Sequence, residues 1–203
     1  MSDLIAWITL GVRHILDPRG LDHVLFLAAL AAIYRPADWR AVAWVVTSFT
    51  VGHSITLALA ATGVLALPAA LVEFLIPVTI AATCVENLLH ARRPTAAHGP
   101  WKRPVLAGVF GLVHGAGFAN YLREMFVDDV ALPLIGFNLG VELGQVIALL
   151  VIGVALLALD RALAPRRSTG EARMQTGARR RLVAVSTSIG TVAGYWALVR
   201  LPG

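Results

Sequence analysis

The sequence predicts an all-α, polytopic membrane helix bundle of about six transmembrane helices, with a short N-terminal interfacial or re-entrant helix in front of them. Three observations predict this. Hydrophobic residues fill 58% of the 203 positions and charged residues only 14%, against about 25% charged in a soluble domain. Mean hydropathy is +0.75. Six apolar runs approach or exceed the ~20 residues that cross ~30 Å of hydrocarbon. Residues 1–203 therefore read as one integral membrane domain.

In chain order, residues 4–16 are apolar but too short to span alone, and Asp17-Pro18-Arg19-Gly20 is a strong helix breaker. No basic stretch precedes this segment, and Arg13 and His14 interrupt it, so no cleavable signal peptide is expected. Spans are expected at 20–34, 40–64, 67–90, 104–122, 131–159 and 182–200, the first being the shortest. The stretch 164–181, with Arg, Ser, Thr and Gly, reads as a flexible loop. Gly111-x3-Gly115, Gly136-x3-Gly140-x3-Gly144 and Gly190-x3-Gly194 permit close backbone approach, within the chain or in a homo-oligomer.

Charge sets the orientation. The loops after the first, third and fifth spans hold 13 of the 17 basic residues: Arg35, Arg40, Arg92, Arg93, Lys102, Arg103 and seven arginines from Arg161 to Arg181. By the positive-inside rule that side is cytoplasmic, and both termini are expected outside the cell membrane. The formal charge of +5 does not mark a nucleic-acid binder, because the basic residues sit between apolar runs. The one cysteine, Cys84, excludes a disulfide or a thiolate metal cage within the chain.

Ionisable groups inside a span are costly and usually functional. Here they are Asp22 and His23, His53, Glu73 and Glu86, His114, and Glu142 with Asn138 and Gln145, while His14 precedes the first span. At 1.5 Å per residue, His53, Glu73, His114, Asn138 and Glu142 reach overlapping depths with Asp22 and His23. Asn138, Glu142 and Gln145 share one face at i, i+4 and i+7. Thr47, Thr50, His53 and Ser54 make a similar stripe. Glu86 and Asn87 stand apart, near the inner end. Glu86 reads best as a helix-end residue, and His90 and His98 as solvated.

Imidazole with carboxylate is the usual donor set for divalent first-row metals, and a carboxylate can orient a ligating imidazole from behind. The expected metal residues are His14, Asp22, His23, His53, Glu73, His114, Asn138 and Glu142. Ni²⁺ and Zn²⁺ suit this set best, with Co²⁺ next, and the absence of Cys and Met from the set argues against Cu(I).

The chain resembles the HupE/UreJ family of bacterial membrane proteins, in particular its second subgroup. The matching stretches are His14-Ile-Leu-Asp-Pro-Arg-Gly-Leu-Asp22-His23-Val-Leu-Phe, Phe49-Thr-Val-Gly-His53-Ser-Ile-Thr-Leu, Val72-Glu73-Phe-Leu-Ile, Phe110-Gly-Leu-Val-His114-Gly-Ala-Gly-Phe-Ala and Phe137-Asn138-Leu-Gly-Val-Glu142-Leu-Gly-Gln145. The resemblance implies a permease for nickel or a related divalent metal. In the family's better-studied branch a His-Pro-x-x-Gly-x-Asp-His motif is tied to transport. Gly20, Asp22 and His23 match its end, whereas Leu16 and Asp17 stand where that branch has His-Pro, and His14 lies two residues early. Two functions are therefore expected. The first is a permease with metal ion as substrate and lipid as surroundings. The alternative is an intramembrane zinc-dependent hydrolase, in which Glu73 or Glu142 acts as general base.

Overall fold

The computed structural model describes residues 2–18, 20–92, 101–125, 131–165 and 170–202, without the side chains of Ser2 and of 119–125; His98 lies outside these. The described residues form seven α-helices: α1 (Ser2–Leu16), α2 (Asp22–Ala31), α3 (Trp39–Ala61), α4 (Ala69–Arg92), α5 (Lys102–Met125), α6 (Ala131–Leu163) and α7 (Gly170–Val199). A turn of 3-10 helix at Pro36–Asp38 leads into α3. No strand occurs among the described residues.

Four segments among the described residues are long and apolar enough to cross a membrane alone: Pro36–Ala61, Ala69–Arg92, Ala131–Leu163 and Gly170–Val199. With 24 residues α5 has the length, but four glycines and the Lys102-Arg103 pair lower its hydropathy. The chain is thus an all-α, multi-pass membrane bundle. Exposed Trp39, Trp44 and Trp101 gather at its arginine-rich end, Trp44 and Trp101 with ring centroids 6.4 Å apart. Amphipathic indoles of this kind mark a membrane–water boundary. At the opposite end α3 stops where Gly63 takes φ +75°, a left-handed position that favours glycine.

The first crossing differs from the expectation. At 10 residues α2 is about 15 Å long and cannot cross alone, and α1 does not lie along the surface. Gly136 meets Leu4 and Trp7, Gly140 meets Ile8 and Gly11, and Gly144 meets Val12 and Ile15. The numbers rise together, so α1 runs parallel to the first half of α6. Beyond the break, Leu27, Ala28 and Ala31 of α2 pack with Ala148, Ile152 and Leu156 further along α6. Together α1, the turn at 17–21 and α2 form one crossing interrupted halfway. Non-helical backbone at such depth is tolerated only where protein or a polar cavity surrounds it.

The glycine faces are used inside the chain. A Cβ on Gly140 would run into the α1 backbone, and one on Gly111 or Gly115 into the α3 backbone at Phe49 and His53. Gly190 packs on Cys84 of α4, and Gly194 faces open space. Within the stretch 164–181, expected as a flexible loop, the residues from Gly170 on are helical, since α7 begins there. Its polar first turns are held by bonds rather than apolar burial: Gln175 to Glu171 at 2.9 Å, Arg179 to the Ala91 carbonyl at 3.1 Å and Arg180 to the Leu163 carbonyl at 3.0 Å. Arg181 is 2% exposed and donates to Asp160 at 2.7 Å and to the carbonyls of Ala32 and Tyr34.

Candidate metal centre

The interrupted crossing brings its two histidines against α3 and α5. His14 ends α1, His23 opens α2, and His53 and His114 lie midway along α3 and α5. Ring centroids are 4.5 Å apart for His14–His23, 5.9 Å for His14–His53, 6.1 Å for His23–His53 and 5.4 Å for His23–His114. One nitrogen from each of His14, His23 and His53 falls within 4.8 Å of the others. His53 and His114 are no more than 1% exposed and His23 is 5% exposed; His14 is partly exposed.

Hydrogen bonds fix two of the four tautomers. The Nδ1 of His23 lies 3.2 Å from Asp22 Oδ1, and a carboxylate only accepts. His23 therefore carries its proton on Nδ1 and turns the Nε2 lone pair away from Asp22. The same Asp22 oxygen accepts the His23 backbone N–H at 3.0 Å, and this carboxylate in the first turn of α2 suits the helix dipole. The second case is His114. Thr79 gives its hydroxyl proton to the Ile76 carbonyl at 2.7 Å, so its oxygen accepts from His114 Nε2 at 3.1 Å. His114 is left with its lone pair on Nδ1.

Among the described residues these lone pairs have no hydrogen-bond partner. Neither do His14 Nε2 and both ring nitrogens of His53, and all of them are buried. Leaving a buried polar group unsatisfied costs roughly 1–3 kcal/mol. The surroundings are aromatic: Phe26 and Phe49 lie 5.0 and 5.2 Å from His114, and Phe118 lies 4.0 Å from His14 and stacks on Phe137 at 5.0 Å. Neutral imidazoles with unpartnered lone pairs in an apolar collar are the donor chemistry of a divalent metal site, and Asp22 and Thr79 orient two of them from behind.

The other expected site residues lie elsewhere. Glu73 and Glu142 are exposed on α4 and α6. Asn138 accepts from Ser54 at 2.8 Å, and Gln145 accepts from Thr50 at 2.8 Å, so these four form a seam between α3 and α6. Asp22 touches the centre through His23. Glu86 pairs with Lys102 at 3.4 Å and Arg103 at 3.6 Å, a helix-end role. Thr79 and the phenylalanine collar were not singled out from the sequence. The signal for Thr79 was present: Thr79, Thr83, Glu86 and His90 recur at i, i+4, i+7 and i+11 on one face of α4.

Two cavities flank the centre. One of about 590 Å³ lies against the helix break, with Arg13, His14, Asp17 and Phe118 in its wall. The other, of about 650 Å³, lies toward the arginine-rich end and is lined by Thr83, Glu86, His90 and Lys102 among others. No curated protein and no solved structure matches the chain. A family model described as HupE / UreJ protein matches residues 1–200, and with nearly every residue inside that match the chain belongs to the HupE/UreJ family.

Proposed function

We propose that this protein is a divalent transition-metal permease, with nickel as its first substrate and zinc or cobalt as the next. The carrying observation is the set of four clustered imidazoles, each with at least one buried ring nitrogen that lacks a partner among the described residues. Membership of the HupE/UreJ family, which is associated with nickel and cobalt transport, supports the same reading. Taking the arginine-rich end as cytoplasmic, the ion arrives at the cavity beside the helix break, whose wall holds His14. His14 is the one cluster histidine in that wall, so it takes the ion first and passes it to His23, His53 and His114. Phe118, stacked on Phe137, stands over His14 and limits access. From His114 the α4 stripe of Thr79, Thr83, Glu86 and His90 leads to the inner cavity. The route needs ligands weak enough to release the ion, and a set of neutral imidazoles without a directly ligating carboxylate meets that need better than a mixed set.

A hydrolase reading uses the same three-histidine set, which suits zinc with an open position. It loses its expected bases, since Glu73 and Glu142 are exposed and Asp22 is engaged by His23.

The test is metal content of the purified protein by elemental mass spectrometry, followed by flux into liposomes. About one equivalent of Ni or Zn, lost in His23→Ala and His114→Ala, together with flux that Glu86→Ala impairs, supports the permease. Tightly held metal without flux favours the enzyme. Wild type without metal after incubation with each ion sinks both tight-site readings.

A further inference from the structure

We infer that the arginine-rich end carries a built site for one anionic phospholipid, separate from the metal route. Two cavities meet there. The first, of about 710 Å³, is lined by Arg35, Arg161 and Arg173 together with apolar Leu157, Met174 and Ala178. Its one carboxylate, Asp160, is already bonded by Arg181 at 2.7 Å, so the guanidiniums leave an excess of positive charge. The second, of about 370 Å³, is a groove along the flank of α6, floored by Leu149, Leu150, Val154 and Leu157 and shared with the first at Arg35, Pro36 and Leu157. Gly153 lies in that groove, and a Cβ built on it meets nothing within 4 Å.

Depth selects the occupant. Pro36 and Ala37 line the charged cavity, and the exposed Trp39 beside them lines the apolar groove. Exposed tryptophans mark the headgroup level of a bilayer, so the charged cavity sits at headgroup depth and the groove runs from it alongside the hydrocarbon. A phosphate held by three guanidiniums, with an acyl chain laid over Gly153, matches both halves. A soluble phosphate would use only the first, and a zwitterionic lipid would leave the charge uncompensated. Basic pockets at the cytoplasmic ends of membrane helices take anionic headgroups on the same physical grounds.

The test uses the full chain in detergent, delipidated and then offered phosphatidylglycerol or phosphatidylcholine, with retained lipid counted by native mass spectrometry. Wild type should keep one phosphatidylglycerol per chain and discriminate against phosphatidylcholine. R161Q/R173Q should lose about thirtyfold in that retention, two surface cations' worth of attraction. G153F leaves every charge in place and should also lose the lipid, because it fills the groove. Lys102→Gln, in the other inner cavity, should leave lipid retention at the wild-type level, and circular dichroism confirms that each variant is folded. Equal retention of both lipids, or full retention by R161Q/R173Q, overturns the proposal. So does inorganic phosphate that binds wild type and G153F alike while displacing the lipid, since the site would then hold a free anion. The metal content of R161Q/R173Q should equal wild type whatever the lipid does, so this site and the permease reading fail separately.

Discussion

The two ends of α2 carry two buried polar clusters, and they are built on opposite principles. At its C-terminal end the Ala29 carbonyl accepts from Asn87 at 2.8 Å, and the Ala32 and Tyr34 carbonyls accept from Arg181. Arg103 in turn donates to Asn87 at 2.6 Å. Each charged or amide group there is tied to a helix other than its own. At the N-terminal end, 10 residues away, ring nitrogens of four histidines lack partners, and His53 has none on either nitrogen. The paired cluster holds helices together. The unpartnered one leaves buried lone pairs unsatisfied, at a cost in stability; in the proposed permease those lone pairs take the metal.

That contrast is broken most directly at Arg181. Arg181→Ala strips Asp160 and two carbonyls of their partner, and removing one member of a buried pair costs about 3–5 kcal/mol. Thermal unfolding should show a large loss of stability, while whatever folded protein survives keeps the wild-type metal content. A folded Arg181→Ala protein that had lost its metal would mean the two clusters are not independent. His53→Phe should give the mirror image: melting temperature unchanged or higher, since unsatisfied nitrogens are replaced by an apolar ring of similar size. Metal affinity should fall by more than about a hundredfold, beyond what loss of a residue behind the ligands causes. Smaller effects come from the orienting residues. Asp22→Asn removes the full charge that holds His23 in its tautomer and should weaken metal binding about 10–100-fold, measured by competition titration. Thr79→Val takes the acceptor from His114 Nε2 and should sit near the lower end of that range.

Much of this was legible in the residues, and what was not has a geometric cause. His23, His53 and His114 could be placed at one depth because helical rise depends on counting alone, whereas His14 fell on a segment read as too short to span. Whether a side chain faces its neighbours depends on azimuth, which counting gives only relative to other residues on the same helix. Asn138, Glu142 and Gln145 share a stripe, yet at 100° per residue Glu142 lies about 40° from Asn138 and about 60° from Gln145. Asn138 and Gln145 meet α3, whereas Glu142 turns outward. The first crossing was read as one helix of 20–34 because a hydropathy window cannot see that two half-helices in the same line share one crossing. The polar start of α7 resembled a loop because its order comes from arginine bonds to carbonyls on other helices.

Glu142 gives the smallest expected effect and the sharpest use of the comparison. Its depth matches that of the histidines, so depth alone would make it part of the route, while its exposure on α6 keeps it out of the centre. Exposed positions away from special contacts change free energies by about 0.5 kcal/mol or less, roughly twofold in an equilibrium. Glu142→Gln should accordingly leave metal content at wild-type level and flux within about twofold. On the proposed permease reading, metal content depends on the four imidazoles, and flux on every group the ion or its counter-ion passes. If flux collapsed in Glu142→Gln with metal content intact, the seam of Thr50, Ser54, Asn138 and Gln145 between α3 and α6 would become part of the transport cycle. The division into one paired and one unpartnered cluster would then need a third, coupling region beside it.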